Sequence, residues 1–269
     1  MMKNFLSGRI FRLFIYIGLC TILETVLVAD AQAVSEVRGG HARERRSIDA
    51  RVTNVVMSGP IQFILKPSIV PDLYVTGDPS LVTKVTTIID GNTLYIATKG
   101  IFIAAGKTQK TIVEIHLPKI EKLQCSANGD SSVIGFKGDN LDLDLRGSGN
   151  FILDADYVNL KIRSTGSGTV QLRLQNMQTI SINSQGKGPI LLNGQTKNFD
   201  AQVSGAGGLN ATAMRAQQGT LNLTGSADVA VYVNTEISAF ALGSGNLRIL
   251  GNPIRRHVEH RGSGQIIWQ

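Results

Sequence analysis

Cysteine is almost missing from this chain of 269 residues, which has only Cys20 and Cys125. That excludes a disulfide-dense secreted scaffold and a Cys-rich zinc module. Charged residues make up 17% and aromatics 6%. The charged fraction lies below the roughly 25% of an average domain, so a strongly charged disordered chain is excluded. The shortage of aromatics leaves no platforms for stacking nucleobases. The formal charge of +7 therefore points to an anionic envelope surface rather than to nucleic acid. Long hydrophobic runs are scarce as well. The apolar stretch Leu13–Leu23 is interrupted by Glu24, well short of the roughly 20 residues that span a bilayer.

That short run reads instead as the core of a secretory signal peptide over residues 1–33. Lys3, Arg9 and Arg12 precede it, and Ala31-Gln32-Ala33 supplies a small-residue cleavage pattern. A retained anchor is the alternative. Cleavage before Val34 removes Cys20, leaves Cys125 alone, and takes the formal charge from +7 to +6 by removing Lys3, Arg9, Arg12, Glu24 and Asp30. Residues 34–47 hold Arg38, Arg43, Arg45 and Arg46 with little apolar content. They are expected to be a solvated basic linker, or an arm attracted to anionic lipid.

Glycine is plentiful, at 29 residues, and its placement is regular. Gly147-Ser148-Gly149, Gly166-Ser167-Gly168, Gly243-Ser244-Gly245 and Gly262-Ser263-Gly264 are identical. Between them stand the variants Gly186-Lys187-Gly188, Gly205-Ala206-Gly207 and Gly225-Ser226-Ala227, with a degenerate first copy starting at Gly129. The repeat is about 19 residues. Four residues before each first glycine stand Cys125, Leu143, Ile162, Ile182, Ala201, Leu221, Ala239 and Val258. Four after it stand Val133, Phe151, Val170, Ile190, Leu209, Val229, Leu247 and Ile266. The interleaved positions before the glycine, such as Asp142, Asp144 and Arg146, are polar. This strict period of two means half-buried strands, with the glycines turning the chain between them.

A helical solenoid needs a 3.6-residue period, and a propeller blade needs about 40 residues. The pattern therefore predicts an all-β, right-handed parallel β-helix of about eight coils over residues 119–269, with chain chirality setting the hand. At about 4.8 Å per coil the stack is roughly 34 Å tall. Both open ends need caps. The last coil has cap character, because Arg256 and His260 replace apolar residues in inward columns and Trp268 follows. Residues 48–118 are expected to form an N-terminal β cap, with strands at 61–65, 73–76, 82–89, 93–97 and 111–117 and a hairpin turn at Asp90-Gly91-Asn92.

The recurrent G-S-G units, each preceded by an alternating strand, resemble the putative auto-transporter adhesin family with a head GIN domain. Gly59-Pro60-Ile61, Gly91-Asn92-Thr93-Leu94 and Ile115-His116-Leu117-Pro118 resemble that family's opening, so the likeness covers roughly 50–269. It implies an exported, envelope-associated bacterial β-helix, and it brings no catalytic residues.

The side chains that carry chemistry are sparse. His257 and His260 are three apart on a strand and point to opposite faces; His41 lies in the linker, and His116 in a strand. No metal or other cofactor is expected. Asp142 and Asp144, with Asp154 and Asp156 nearby, are a conceivable acid–base set. Lys161, Arg163, Ser181 and Asn183 in neighbouring coils make them a solvated mixed-charge face instead. Cys125 falls in an inward column near Leu143, so it reads as an inert buried thiol. Two groups break the outward-polar rule. Phe240 and Leu242 point outward before one glycine turn; Ile134, Ile152, Leu191 and Ile267 do so after others. Apolar residues there imply a covered surface, by the chain's own N-terminal strands or by a partner. The sequence thus points to a non-enzymatic exported adhesion or binding module, with a glycan or protein of the cell surface as partner. A self-assembling structural β-helix is the alternative, and a carbohydrate-active enzyme a more distant one.

Overall fold

The computed structural model describes residues 34–38, 40–100, 111–175 and 177–269. The expected signal segment lies outside the described residues. Among the described residues, no helix is long and apolar enough to cross a membrane.

The N-terminal third contains β1 (Val34–Arg38), β2 (His41–Ser47), β3 (Asn54–Gly59), β4 (Gln62–Pro67), β5 (Asp72–Gly77), helix α1 (Pro79–Val82), β6 (Val85–Asp90), β7 (Thr93–Thr98) and β8 (Ile112–Leu117). Next come β9 (Lys122–Ala127), β10 (Ser131–Leu145), β11 (Phe151–Ser164), β12 (Val170–Leu174), β13 (Met177–Ser184), β14 (Ile190–Val203) and β15 (Leu209–Leu223). The chain closes with β16 (Val229–Ala241), β17 (Leu247–Leu250), β18 (Arg255–His260) and β19 (Ile266–Trp268). From β9 onward every pairing is parallel and joins one coil to the next. The result is a β-solenoid of about seven turns, close to the eight coils that the repeat predicts.

Each coil runs from one glycine turn to the next, as one long strand in β10, β11, β14, β15 and β16 and as two in β12–β13 and β17–β18. Inward columns run the length of the stack: Leu123–Leu143–Ile162–Ile182–Ala201–Leu221–Ala239 is continuous in register and buried throughout. Each such large aliphatic side chain contributes about 1.5–3 kcal/mol by leaving water. Bulk is balanced between neighbours: Phe199 pairs with Gly219, where a Cβ would come within 3.0 Å of Ile237 and Val233.

The turn glycines are required by proximity rather than by their backbone angles. A Cβ on Gly147 would lie 1.8 Å from the Ala127 carbonyl oxygen, and one on Gly149 2.1 Å from that of Gly129. The same holds at Gly166, Gly168, Gly245 and Gly264, each against the carbonyl of the preceding turn. These contacts also correct the register of the first copy. Ala127-Asn128-Gly129 lies under Gly147-Ser148-Gly149, so Gly129 is the second glycine of its turn. Cys125 accordingly pairs with Leu145, not Leu143.

The N-terminal cap departs furthest from expectation. Strands β3 and β4 are a further coil, with β3 parallel to β9 and β4 parallel to β10. Strands β7 and β8 stack in parallel on the other side of β3 and β4. The chain thus lays down an inner coil, goes outward, and returns past it to begin β9. Antiparallel strands then cover the open edges, β6 on β7 through the Gly91-Asn92 turn and β5 on β8. Gly91 has φ +58°, the left-handed conformation such turns favour. The strand expected at 82–89 starts only at Val85, because residues 79–82 form the helix α1, whose first turn is capped by the Asp78 carboxylate accepting from the Ser80 amide at 2.8 Å.

Residues 34–47 are not a linker: β1 pairs with β2, and β2 with β5. Their arginines are engaged within the cap. Arg46 donates to Glu44 at 2.7 Å and to the Val85 carbonyl at 2.8 Å, Arg43 lies 4.2 Å from the Tyr74 ring centroid, and Arg45 reaches Asp72. Here ion pairing and edge pairing replace apolar burial, which is why composition alone misses the strand. At the other end, Arg256 stacks on the Trp268 ring at 4.5 Å and donates to the Pro253 carbonyl at 2.9 Å, closing the last coil.

Candidate functional site

The strands before the glycines carry three outward columns, held in register by the backbone ladder. One reads Lys122, Asp142, Lys161, Ser181, Asp200, Thr220, Ser238 and His257; its neighbour reads Gln124, Asp144, Arg163, Asn183, Gln202, Asn222, Phe240 and Glu259. The third ends in Gln185, Ser204, Thr224, Leu242 and Arg261, placed by the hydrogen bonds of consecutive turns. Along the stack this face divides into a charged belt, an uncharged amide and hydroxyl block broken only by Asp200, an apolar shelf of Phe240 and Leu242, and a charged end. Leu242 is exposed and Phe240 partly so.

The charged rows are paired in part. Asp144 accepts two hydrogen bonds from Arg146, and Glu259 lies 3.6 Å from His257 and 3.5 Å from Arg261. Asp142 sits between Lys122 and Lys161 in register. Asp154 and Asp156 face Arg173 and Lys137 at 3.9 and 3.6 Å. Asp144, Asp154, Asp156 and Glu259 are thus cation-paired, and the four aspartates are partly exposed. By contrast, among the described residues no hydrogen bond or ion pair engages the side chains of Asn183, Gln202, Asn222, Ser181, Asp200 or Thr220.

The opposite sheet, after the glycines, carries the other apolar residues. Ile152 and Leu191 share one outward column with Gln171, Asn210, Ala230, Arg248 and Ile267. Ile134 does not: it pairs with Asp154, while Ser132 pairs with Ile152, as the register of the first turn requires. Nor do the N-terminal strands cover this column. They extend the sheets edge to edge, and Ile134 and Leu191 remain 43% and 39% exposed. A shallow groove of about 290 Å³ follows the column beside Leu191, between Asp228, Asn246, Arg248 and Ile267.

A polar cluster on the cap went unseen in the sequence. His116 Nδ1 lies 2.6 Å from Asp72 and Nε2 3.4 Å from Glu114. The Tyr74 hydroxyl donates to Asp72 at 3.0 Å, and Lys66 to Glu114 at 2.8 Å. The Lys66 hydrogen bond lowers the Glu114 pKa. The available signal was the spacing of two within Asp72/Tyr74 and Glu114/His116; the antiparallel pairing of β5 with β8 is what joins them. This cluster ties the cap together and leaves no open position. Cys125 is buried, and burial raises its pKa, as an inert thiol requires. Among the described residues no group of three or more His, Cys, Asp or Glu could hold a metal.

Parallel coils, columned outward faces and an antiparallel cap define a capped β-solenoid. The chain belongs to the family described as "Putative auto-transporter adhesin, head GIN domain", matched over residues 52–173 and 154–253. A solved structure named a putative adhesin from Parabacteroides merdae is similar over 88% of this chain and 100% of its own, at 21% identity and TM-score 0.74. Another, a putative adhesin from Parabacteroides distasonis, covers 89% and 98% at 19% identity and TM-score 0.70. A third, from the same organism and named a putative lipid binding protein, covers 86% and 98% at 23% identity and TM-score 0.72. These likenesses establish a shared fold. No curated protein matches the sequence.

Proposed function

We propose that the protein is an exported, non-enzymatic adhesion or binding module that presents its outward columns to a surface partner in the bacterial envelope or on a neighbouring cell. The observation that supports this most is the set of unpaired amide and hydroxyl side chains held in register on the sheet before the glycines. The backbone ladder has already fixed their positions, so a partner meets a preorganised surface. The family and the adhesin names of similar structures agree with this reading, as does the basic-apolar-small pattern of residues 1–33. The cation-paired carboxylates argue against hydrolysis.

The test is binding of the purified protein to envelope fractions and intact cells, with intact-mass measurement on exported material. Saturable binding by a monomer whose mass starts at Val34 is expected. Large particles by light scattering would favour structural self-assembly. Sugars released from polysaccharide, and lost on Asp142→Ala or Asp144→Ala, would favour an enzyme.

The groove beside Leu191 supports a second reading, an amphiphile with its apolar part on Leu191 and Ile267 and its head near Arg248. One similar structure carries a lipid-binding name. Leu191→Ser would then reduce binding to lipid vesicles.

A further inference from the structure

We infer that the uncharged block before the glycines, with Phe240 and Leu242 at its end, is a binding site for a neutral, hydroxyl-rich saccharide extended along the stack. This rests on the binding-module reading and names its ligand class.

Asn183, Gln202 and Asn222 stand on consecutive coils in one column, so planar amide groups recur at about the 4.8 Å strand spacing. Each amide offers donors and an acceptor, and none is used within the protein among the described residues. Asp200, in the adjacent column, is the sole charge among them and can accept from neighbouring hydroxyls. Phe240 continues the amide column directly beyond Asn222. Its ring has no aromatic or cationic partner among the described residues and remains partly exposed. A partly wet aromatic face beside free amides suits a sugar ring, which has apolar C–H faces and hydroxyl edges.

Other ligands fit less well. Arg146, His257 and Arg261 are engaged by Asp144 and Glu259, and the exposed cations Lys161 and Arg163 stand on a single coil, so an anionic polymer finds one cationic row but no positive stripe along the stack. A nucleic acid would need such a stripe and several stacking platforms. An acyl chain would need a continuous apolar track, whereas here the apolar part is two side chains. The face is flat and repeated, which suits a polymer with a repeated hydroxyl pattern.

The test uses isothermal titration with maltohexaose, cellohexaose and laminarihexaose as neutral probes, and with hyaluronan and polygalacturonate as anionic ones. At least one neutral hexamer should bind. Phe240→Ala and the double variant Gln202→Ala/Asn222→Ala should each weaken it by about tenfold or more, the scale of one lost stacking or polar contact. Leu191→Ser, on the opposite sheet, should leave affinity unchanged, and thermal melts should show every variant folded. Neutral binding that survives both site variants overturns the inference, as does a preference for the anionic polymers. Envelope binding without binding of any neutral hexamer overturns it while leaving the binding-module reading intact. Failure to bind envelope, cells and hexamers alike removes both.

Discussion

Replacing Gly168 with alanine tests why the repeat carries glycine at all. The added Cβ would stand 1.9 Å from the Gly149 carbonyl oxygen and 2.5 Å from its carbon. A C···O contact normally needs about 3.3 Å or more, so the two turns must part locally by over an ångström. Overpacking of this kind costs about 1–3 kcal/mol. The displaced turn also strains the bond from the Ser167 amide to the Gly147 carbonyl, 3.1 Å long, which contributes about 1 kcal/mol. Alanine recovers about 0.4–1 kcal/mol by restricting the unfolded chain. The net loss is about 2–3 kcal/mol, and for a chain of this size that lowers the melting temperature by roughly 4–12 °C. Ala227 occupies the equivalent place in another turn, so the stack should yield and remain folded. Ser167→Ala, at the exposed centre of the same turn, is the control. Thermal unfolding followed by circular dichroism reads both. If Gly168→Ala melts with the wild type, within about 1 °C, close stacking is not what selects glycine.

Leu143→Asp should prevent stable folding, since it puts an unpaired charge in a fully buried column at a cost of several kcal/mol. Asp144→Leu should stay folded, losing an exposed pair with Arg146 worth about 1 kcal/mol or less; equal destabilisation of the two in thermal melts would mean that inside and outside are reversed. Tyr157 donates to the Ile120 carbonyl at 2.9 Å from a buried site, and burial raises its pKa. Because the folded value lies above the unfolded one, this tyrosine's contribution is full below the unfolded pKa of about 10 and falls as pH rises beyond it. Stability curves should therefore decline above about pH 10, and Tyr157→Phe should lose about 1 kcal/mol at neutral pH while flattening that decline. An unchanged alkaline slope in the variant would refute the assignment.

The sequence by itself determined the parallel stack. Alternation at Leu141, Leu143 and Leu145 against Asp142, Asp144 and Arg146 assigns each side chain a face, and a glycine turn about every 19 residues admits little besides a solenoid. Cap character at Arg256 and Trp268 was legible too, because a cation in an inward column makes sense only where the core ends. The neighbours of the first coil were not. A slip of two residues keeps every side chain on its own face, so alternation cannot detect it; Ala127 in place of a glycine hid the slip, and only the stacked turns show that Ile134 faces Asp154. The order of the cap strands was decided by tertiary structure as well. β3 lies between β7 and β9, and β4 between β8 and β10, in space though not in the chain, because parallel edges pair through backbone groups that carry no residue label. The Arg-rich segment before Ile48 became strand for a related reason. An edge in need of partners accepts a polar strand, and its arginines find Asp72, Tyr74 and the Val85 carbonyl only after distant segments have been brought together.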